Sequence, residues 1–218
     1  MNSSALFVIL ICLSPIFQDQ WKNVYTESAW GARDQWQKAD VLIKYLSIMA
    51  GSKVADIGCH EGYLTIKLSG AVGEMGKVYA VDVENAKLDR LHANLEKGGI
   101  LNVIIVKGEY DNPQLPLNSF DAVVILDAYH EMNEYVKMFQ HIKASLKLGG
   151  RLVLCEPIAE ERRKLNRVDQ KQKHELGMNF ALEDLSKAGF SILKQQDPFV
   201  DRTKEKGDKM WVVVALKK

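Results

Sequence analysis

Four short stretches of this chain carry residues whose types and spacing could do chemistry. The first is Asp56-x-Gly58-x-His60-x-Gly62, inside "VADIGCHEGY". Glycines at alternate positions let backbone approach a ligand closely and adopt dihedrals that other residues avoid. An acid before them adds a hydrogen-bond acceptor. The second is Asp82, 24 residues beyond Gly58, in "VYAVDVEN". A carboxylate about that far past a glycine turn can accept two hydrogen bonds from a ribose. The third is "LDAYHEM", with Asp127, Tyr129, His130 and Glu131. His130 is the candidate base, because imidazole titrates near neutrality. Tyr129 is the candidate pocket wall, and Glu131 supports the start of a following helix. The fourth is Glu156 in "LCEPIAE", a further acid.

The elements that must position these residues read clearly. "KVADIG", "KVYAVD", "NVIIVK", "FDAVVILD" and "GRLVLCE" are short apolar runs bounded by glycine or acid, the pattern of strands buried on both faces. Helical spacing separates them: Tyr63 to Ser69, the Leu88–Leu91–Leu95 face, and Met132 through Phe139 to Leu146. Repeated strand–helix units predict a doubly wound, mostly parallel α/β sheet, Rossmann-like, with helices on both faces. In such sheets ligands sit beyond the carboxyl ends of the strands, where all four stretches converge. "FSILKQQDPF" and "KMWVVVALKK" predict a closing antiparallel hairpin, after a helix carrying Leu182 and Leu185 and capped by Gly189. Before the sheet, Ala39, Ile43, Leu46 and Met49 trace one helix face, ended by Gly51.

The glycine loop lacks the G-x-G-x-x-G form, which disfavours a nicotinamide oxidoreductase. It resembles instead the loop of class I S-adenosylmethionine-dependent methyltransferases. "VYAVDVENAKLDRL", "GEYDNPQLPLNSFDAVVILDAYHEM" and "LKLGGRLVLCEP" are similar, in order, to that family's later blocks, and the hairpin fits its seventh strand inserted between the fifth and sixth. The resemblance implies S-adenosylmethionine as cofactor, held by Asp56, Gly58, His60, Gly62, Asp82, Val83, Glu109 and Asp127. It places His130 and Tyr129 beside the transferred methyl. His60 departs from the family: a side chain stands where glycine is usual, either crowding the cofactor or turned outward, and the outward orientation is expected. An N-P-P-Y-like motif for planar amino groups is missing, and the three cysteines do not form an arsenite-type set.

Composition bounds the partners. Lys and Arg total 29 against 28 Asp and Glu in 218 residues, so no net field points to nucleic acid. Cys12, Cys59 and Cys155 have no C-x-x-C spacing, "HEL" lacks a second histidine four residues on, and no metal site is indicated. The polar segment from Glu160 to Leu176 reads as a solvated helix or as a lid with Arg163, Lys173 or His174 meeting an acidic substrate. Ala5–Phe17 is apolar and uncharged, with the length of a secretory h-region, but no basic residue precedes it and no A-x-A site follows. The expected organisation is a signal peptide or anchor over 1–20, a helical cap over 21–52 and a methyltransferase domain over 53–218. The expected location is thus export or the membrane, reached through the leader; the alternative is a cytoplasmic protein. The expected activity is methyl transfer to a small-molecule acceptor; the alternative is a non-catalytic binder of S-adenosylmethionine or a related nucleoside.

Overall fold

The computed structural model describes residues 30–218. The expectations on the leader, Cys12 and Trp21 lie outside the described residues. Seven strands make one sheet in the order β3-β2-β1-β4-β5-β7-β6. They are β1 (Lys53–Ile57), β2 (Lys77–Asp82), β3 (Val103–Lys107), β4 (Phe120–Leu126), β5 (Leu146–Ile158), β6 (Ser191–Arg202) and β7 (Asp208–Leu216). The first five pair in parallel; β7 runs antiparallel to both β5 and β6. The doubly wound sheet and inserted hairpin are therefore as the sequence predicts.

Successive strand residues point to opposite faces, and two cores follow from that alternation. Val54, Ala80, Val124 and Val153 face α1 (Trp30–Asp34), α2 (Ala39–Leu46), α3 (Tyr63–Val72) and α4 (Asn85–Lys97). Ala55, Ile57, Ile125 and Leu154 face α5 (Tyr135–Ser145) and α7 (Met178–Lys187). Both faces are covered along the central strands, as continuous apolar runs require. The edges differ: β3 is only partly covered, and β6 is exposed over most of its length. An edge strand lies at the margin of the helical layers, so its side chains keep contact with water.

Several helical boundaries depart from expectation; Leu146, for one, opens β5 instead of closing a helix. Helix α2 stops at Leu46 because Ser47 turns left-handed (φ 55°). Met49 then lies exposed in a turn closed by its N–H donating to Ser52 Oγ at 2.9 Å. Met132 belongs to a single turn of 3₁₀ geometry and its exit, not to α5. The segment after Glu160 is not one solvated helix. It holds a 3₁₀ turn, the short α6 (Arg167–Lys171) and irregular chain. Buried Gln170 pins this segment, donating to the carbonyls of Arg162 and Leu165 and accepting the Gly177 N–H at 2.7 Å. Short α8 (Thr203–Lys206) joins β6 to β7.

Candidate active site

At the carboxyl ends of β1, β2 and β4 lies a cavity of about 370 Å³, within the range of small-molecule sites. Its floor is the turn after β1. Gly58 and Cys59 donate N–H bonds to the Val81 carbonyl at 2.8 and 3.0 Å, tying the turn to β2. Gly58 (φ 77°) presses on the end of β4 so closely that a Cβ there would stand 2.3 Å from Ala128 Cβ. Gly62 (φ 101°) packs as tightly on α4, where a Cβ would meet Leu91 Cδ1 at 2.5 Å. Two of the motif's glycines are thus required by close approach and by left-handed backbone.

His60 shares the left-handed conformation (φ 52°), at a cost that glycine would not incur. Its ring is exposed at the cavity mouth. Its backbone N–H donates to Asp82 Oδ2 at 3.0 Å. The loop therefore keeps the glycine-type backbone and turns the imidazole outward, as expected. Burial, then nearby Lys87, lowers the ring's pKa, so the ring is neutral at physiological pH.

The carboxylates divide the work. Asp82 is buried, with Oδ2 on His60 N–H and Oδ1 on Glu84 N–H, each at 3.0 Å. Each oxygen keeps a further lone-pair direction for a hydroxyl. Asp56 is also buried and accepts the Thr65 hydroxyl at 2.6 Å. Burial raises its pKa to about 6, against the lowering effect of Thr65 and Arg33. Val83 and Glu109 line the cavity beside Asp82, on the side of Tyr110 and Pro113. Asp127, left-handed (φ 58°), accepts from Arg202 Nη1 at 3.0 Å, which ties the end of β4 to the end of β6. Cys59 is buried packing: burial, then Asp56 and Asp82, push its thiol pKa up and keep it protonated.

Two of the expected catalytic residues stand differently. Tyr129 is no pocket wall. It is fully buried, its hydroxyl donates to Asp184 Oδ2 at 2.5 Å, and its ring stacks on Phe139 in the second core. His130 does reach the cavity, but it is buried to 5% exposure and both ring nitrogens face carboxylates. Nδ1 bonds Glu156, and Nε2 lies 3.1 Å from Glu131 Oε1. Burial lowers the His130 pKa, but Glu156 and further acids outweigh it and hold the net value up. A histidine so engaged is not a free base. Glu156 itself is no acid of the cavity: wholly buried, it accepts the N–H groups of Ala128 and Tyr129 at 3.2 and 2.9 Å and fixes the 3₁₀ turn carrying His130.

A second, more open cavity of about 420 Å³ adjoins the first and shares Asp127 and His130 with it. Lys173 and His174, two of the lid candidates, are among its lining residues, as is Lys206. Arg163 does not; it is held by Asp197 through paired contacts of 2.6 and 2.9 Å. Arg162 is likewise occupied by buried Glu175.

Sequence reasoning missed Arg33, Trp30 and Lys87 in the lining of the first cavity. Arg33 stacks 4.2 Å above the Tyr63 ring and donates Nε–H to Gln37. The available signal was an arginine amid closely spaced tryptophans just before the sheet. Two groups of possible metal ligands occur among the described residues: His130 with Glu131 and His174, and Asp127 with His130 and Glu156.

A doubly wound sheet in this strand order, with a glycine turn after β1 facing an acid at the end of β2, defines the class I methyltransferase fold. Residues 54–150 match the sequence family described as a methyltransferase domain. Over that stretch, under half of the chain, the sequence is similar to a methyltransferase domain, and the fold around it is that of the class I S-adenosylmethionine-dependent methyltransferases. It is 34% identical over 111 residues to the probable cobalt-precorrin-6B C(15)-methyltransferase (decarboxylating) of Saccharolobus solfataricus, covering 50% of this chain and 54% of that one. It is 30% identical over 122 residues to the demethylmenaquinone methyltransferase of Geobacillus stearothermophilus, covering 56% and 51% respectively. The matches thus span about half the length of these curated relatives. A crystal structure of an S-adenosylmethionine-dependent methyltransferase from Aquifex aeolicus superposes with a TM-score of 0.72 at 23% identity, covering 93% of this chain and 98% of that one. At that identity the likeness speaks to the fold.

Proposed function

We propose that this chain transfers a methyl group from S-adenosylmethionine to a small-molecule acceptor. The observation that carries the reading is the Asp82 carboxylate, bonded to the turns after β1 and β2 and facing the first cavity. When bound, the cofactor supplies an activated methyl on a sulfonium. Asp82 takes the ribose hydroxyls. Val83 and Glu109, with Tyr110, flank the adenine. Asp56 and the turn from Gly58 to Gly62 receive the methionine end, and Arg33 adds a cation for its carboxylate. Asp127 stands between this cavity and the second one, through which the acceptor enters. Lys173 and Lys206 favour an acceptor with an anionic group.

The chain's own contribution is alignment and exclusion of water. His130, held by Glu156, is a positioned wall group; it would have to release a carboxylate before taking a proton. Both relatives named above are methyltransferases of small molecules by their names, and the balanced charge of the chain gives no support to nucleic acid as acceptor. Residues 53–218 serve as the catalytic domain and 21–52 as a cap that brings Arg33 to the cavity. Residues 1–20 act as a signal or anchor; a cytoplasmic protein is the alternative. No helix among the described residues is long and apolar enough to cross a membrane. Fractionation and N-terminal sequencing of native protein decide: soluble protein starting at Met1 defeats the leader.

Calorimetry with S-adenosylmethionine and its demethylated product, followed by turnover with a methyl-labelled donor, tests the function. Binding with transfer to a low-molecular-weight acceptor fraction is expected. Binding without transfer to any fraction favours the non-catalytic binder, and no binding removes both.

A further inference from the structure

On the wall between the two cavities, three ligand-type atoms meet. His130 Nε2 lies 3.1 Å from Glu131 Oε1, and His174 Nδ1 lies 2.8 Å from the same oxygen. All three atoms lie within 4.8 Å of one another. The two rings meet edge to face at 5.6 Å, so they converge on the carboxylate and do not stack. His174 comes from the irregular chain after α6, itself left-handed at φ 54°.

Proton accounting makes the arrangement unusual. His130 Nδ1 bonds Glu156, whose oxygens also accept backbone N–H groups. In the neutral ring, the Nδ1 hydrogen goes to Glu156 and Nε2 carries a lone pair. That lone pair faces a carboxylate oxygen, and two acceptors at this distance repel. Something positive must stand between them. It is either a second proton on the ring or a cation shared with His174.

We propose that His130 Nε2, Glu131 and His174 Nδ1 bind one divalent ion of the borderline class, with zinc as the type. Two imidazoles and a carboxylate with one position open is the ligand set of catalytic zinc centres. Ligand atoms at about 2.0–2.1 Å around a tetrahedral ion lie roughly 3.3 Å apart, so the observed separations need small adjustments. Glu131 and His174 have side chains 57% and 75% exposed and are free to make them. Glu156 behind His130 is the carboxylate that orients a metal-bound imidazole through its other nitrogen. The same bonds rule Glu156 out as a ligand, which leaves this group and not the one with Asp127. Nitrogen-rich donors select against magnesium, which prefers oxygen. The site goes beyond the methyl-transfer reading and rests on it only for the occupant of the open position, an oxygen of the acceptor.

The test uses the full chain stripped with chelator, then titrated with Zn²⁺, Co²⁺ and Mg²⁺ by calorimetry and visible absorption. One Zn²⁺ per chain at roughly micromolar affinity or tighter is expected, with ligand-field bands for Co²⁺ and no Mg²⁺ binding. His174→Ala and Glu131→Gln should each weaken Zn²⁺ by more than the about ten- to hundredfold that loss of an outer-shell partner costs. His174→Ala should leave affinity for S-adenosylhomocysteine unchanged. No Zn²⁺ binding by the parent, or equal binding by both variants, overturns the proposal. Zinc bound without S-adenosylhomocysteine keeps the metal site and defeats the cofactor reading; the reverse pattern does the opposite.

Discussion

Replacing Asp82 by alanine should damage the protein twice. The side chain stitches the turn after β1 to the turn after β2 through two N–H bonds of 3.0 Å, from His60 and Glu84. Hydrogen bonds to a charged group contribute about 1.5–3 kcal/mol each. His60 and Glu84 lie at the surface, so water entering where the carboxylate stood recovers part of that loss. A net cost of about 2–4 kcal/mol remains. For a chain of this length, each kcal/mol moves the melting point by about 2–4 °C, so a fall of roughly 5–15 °C is expected by circular dichroism. Asp82 is buried, so its loss is felt in folding as well as in binding. Affinity for S-adenosylhomocysteine should drop ten- to a hundredfold, roughly one further charge-assisted bond. Asp82→Asn should fall between, because its amide oxygen keeps one N–H donor while its NH₂ opposes the other. A melting point within about 1 °C of the parent would show that solvent already serves those N–H groups. Unchanged affinity would remove Asp82 from the ribose.

The other predictions concern the same turn. Asp56 has a folded pKa of about 6 against an ordinary 3.8, so the native state binds the extra proton between those values. Its contribution to stability is full in acid and is lost as pH rises through that window, about 3 kcal/mol by neutrality. Asp56→Asn keeps an acceptor for Thr65, so in urea it should be more stable than the parent at pH 7.5 and equal below pH 4; a constant difference would refute this. Gly58→Ala should cost about 2–5 kcal/mol through left-handed strain and overpacking, and adding Ala128→Gly should recover the packing part alone; no recovery in thermal melts would place the damage elsewhere. His60→Gly should hold or improve cofactor affinity in calorimetry, with stability within about 1 kcal/mol as relieved strain offsets glycine's entropy. A loss above about tenfold would mean that the imidazole touches the ligand.

The sheet was legible because each central strand is a short apolar run closed by glycine or acid. Val54–Ile57 ending at Gly58 leaves little choice of element or direction. The lining of the first cavity was legible for the same reason, since Asp56, Gly58 and Asp82 sit at or near strand ends whose order fixes their place. What lay beyond reach was side-chain direction and distant company. After β4 the chain makes a 3₁₀ turn, and that turn sends Tyr129 into the core and His130 to the cavity. Nothing in "DAYHEM" separates those outcomes. Glu131 meets His174 across 43 positions, and Arg33 arrives from a helix outside the alternating units. Such pairings are made by tertiary packing, which local periodicity does not encode. Helix α2 ended early for a related reason: its apolar spacing runs on to Met49, but Ser47 leaves the helical dihedrals first.

The strand order has a consequence for how the chain can be assembled. β7 follows every other strand in sequence yet occupies an interior position, between β5 and β6. During synthesis, β6 emerges with no ladder partner, and β5 presents a bare edge until β7 has been made. The Arg202 that ties β6 to Asp127 cannot settle before then. A chain stalled just short of β7 therefore holds a five-stranded sheet with β5 as an open margin, and a cavity wall that Arg202 does not yet tether.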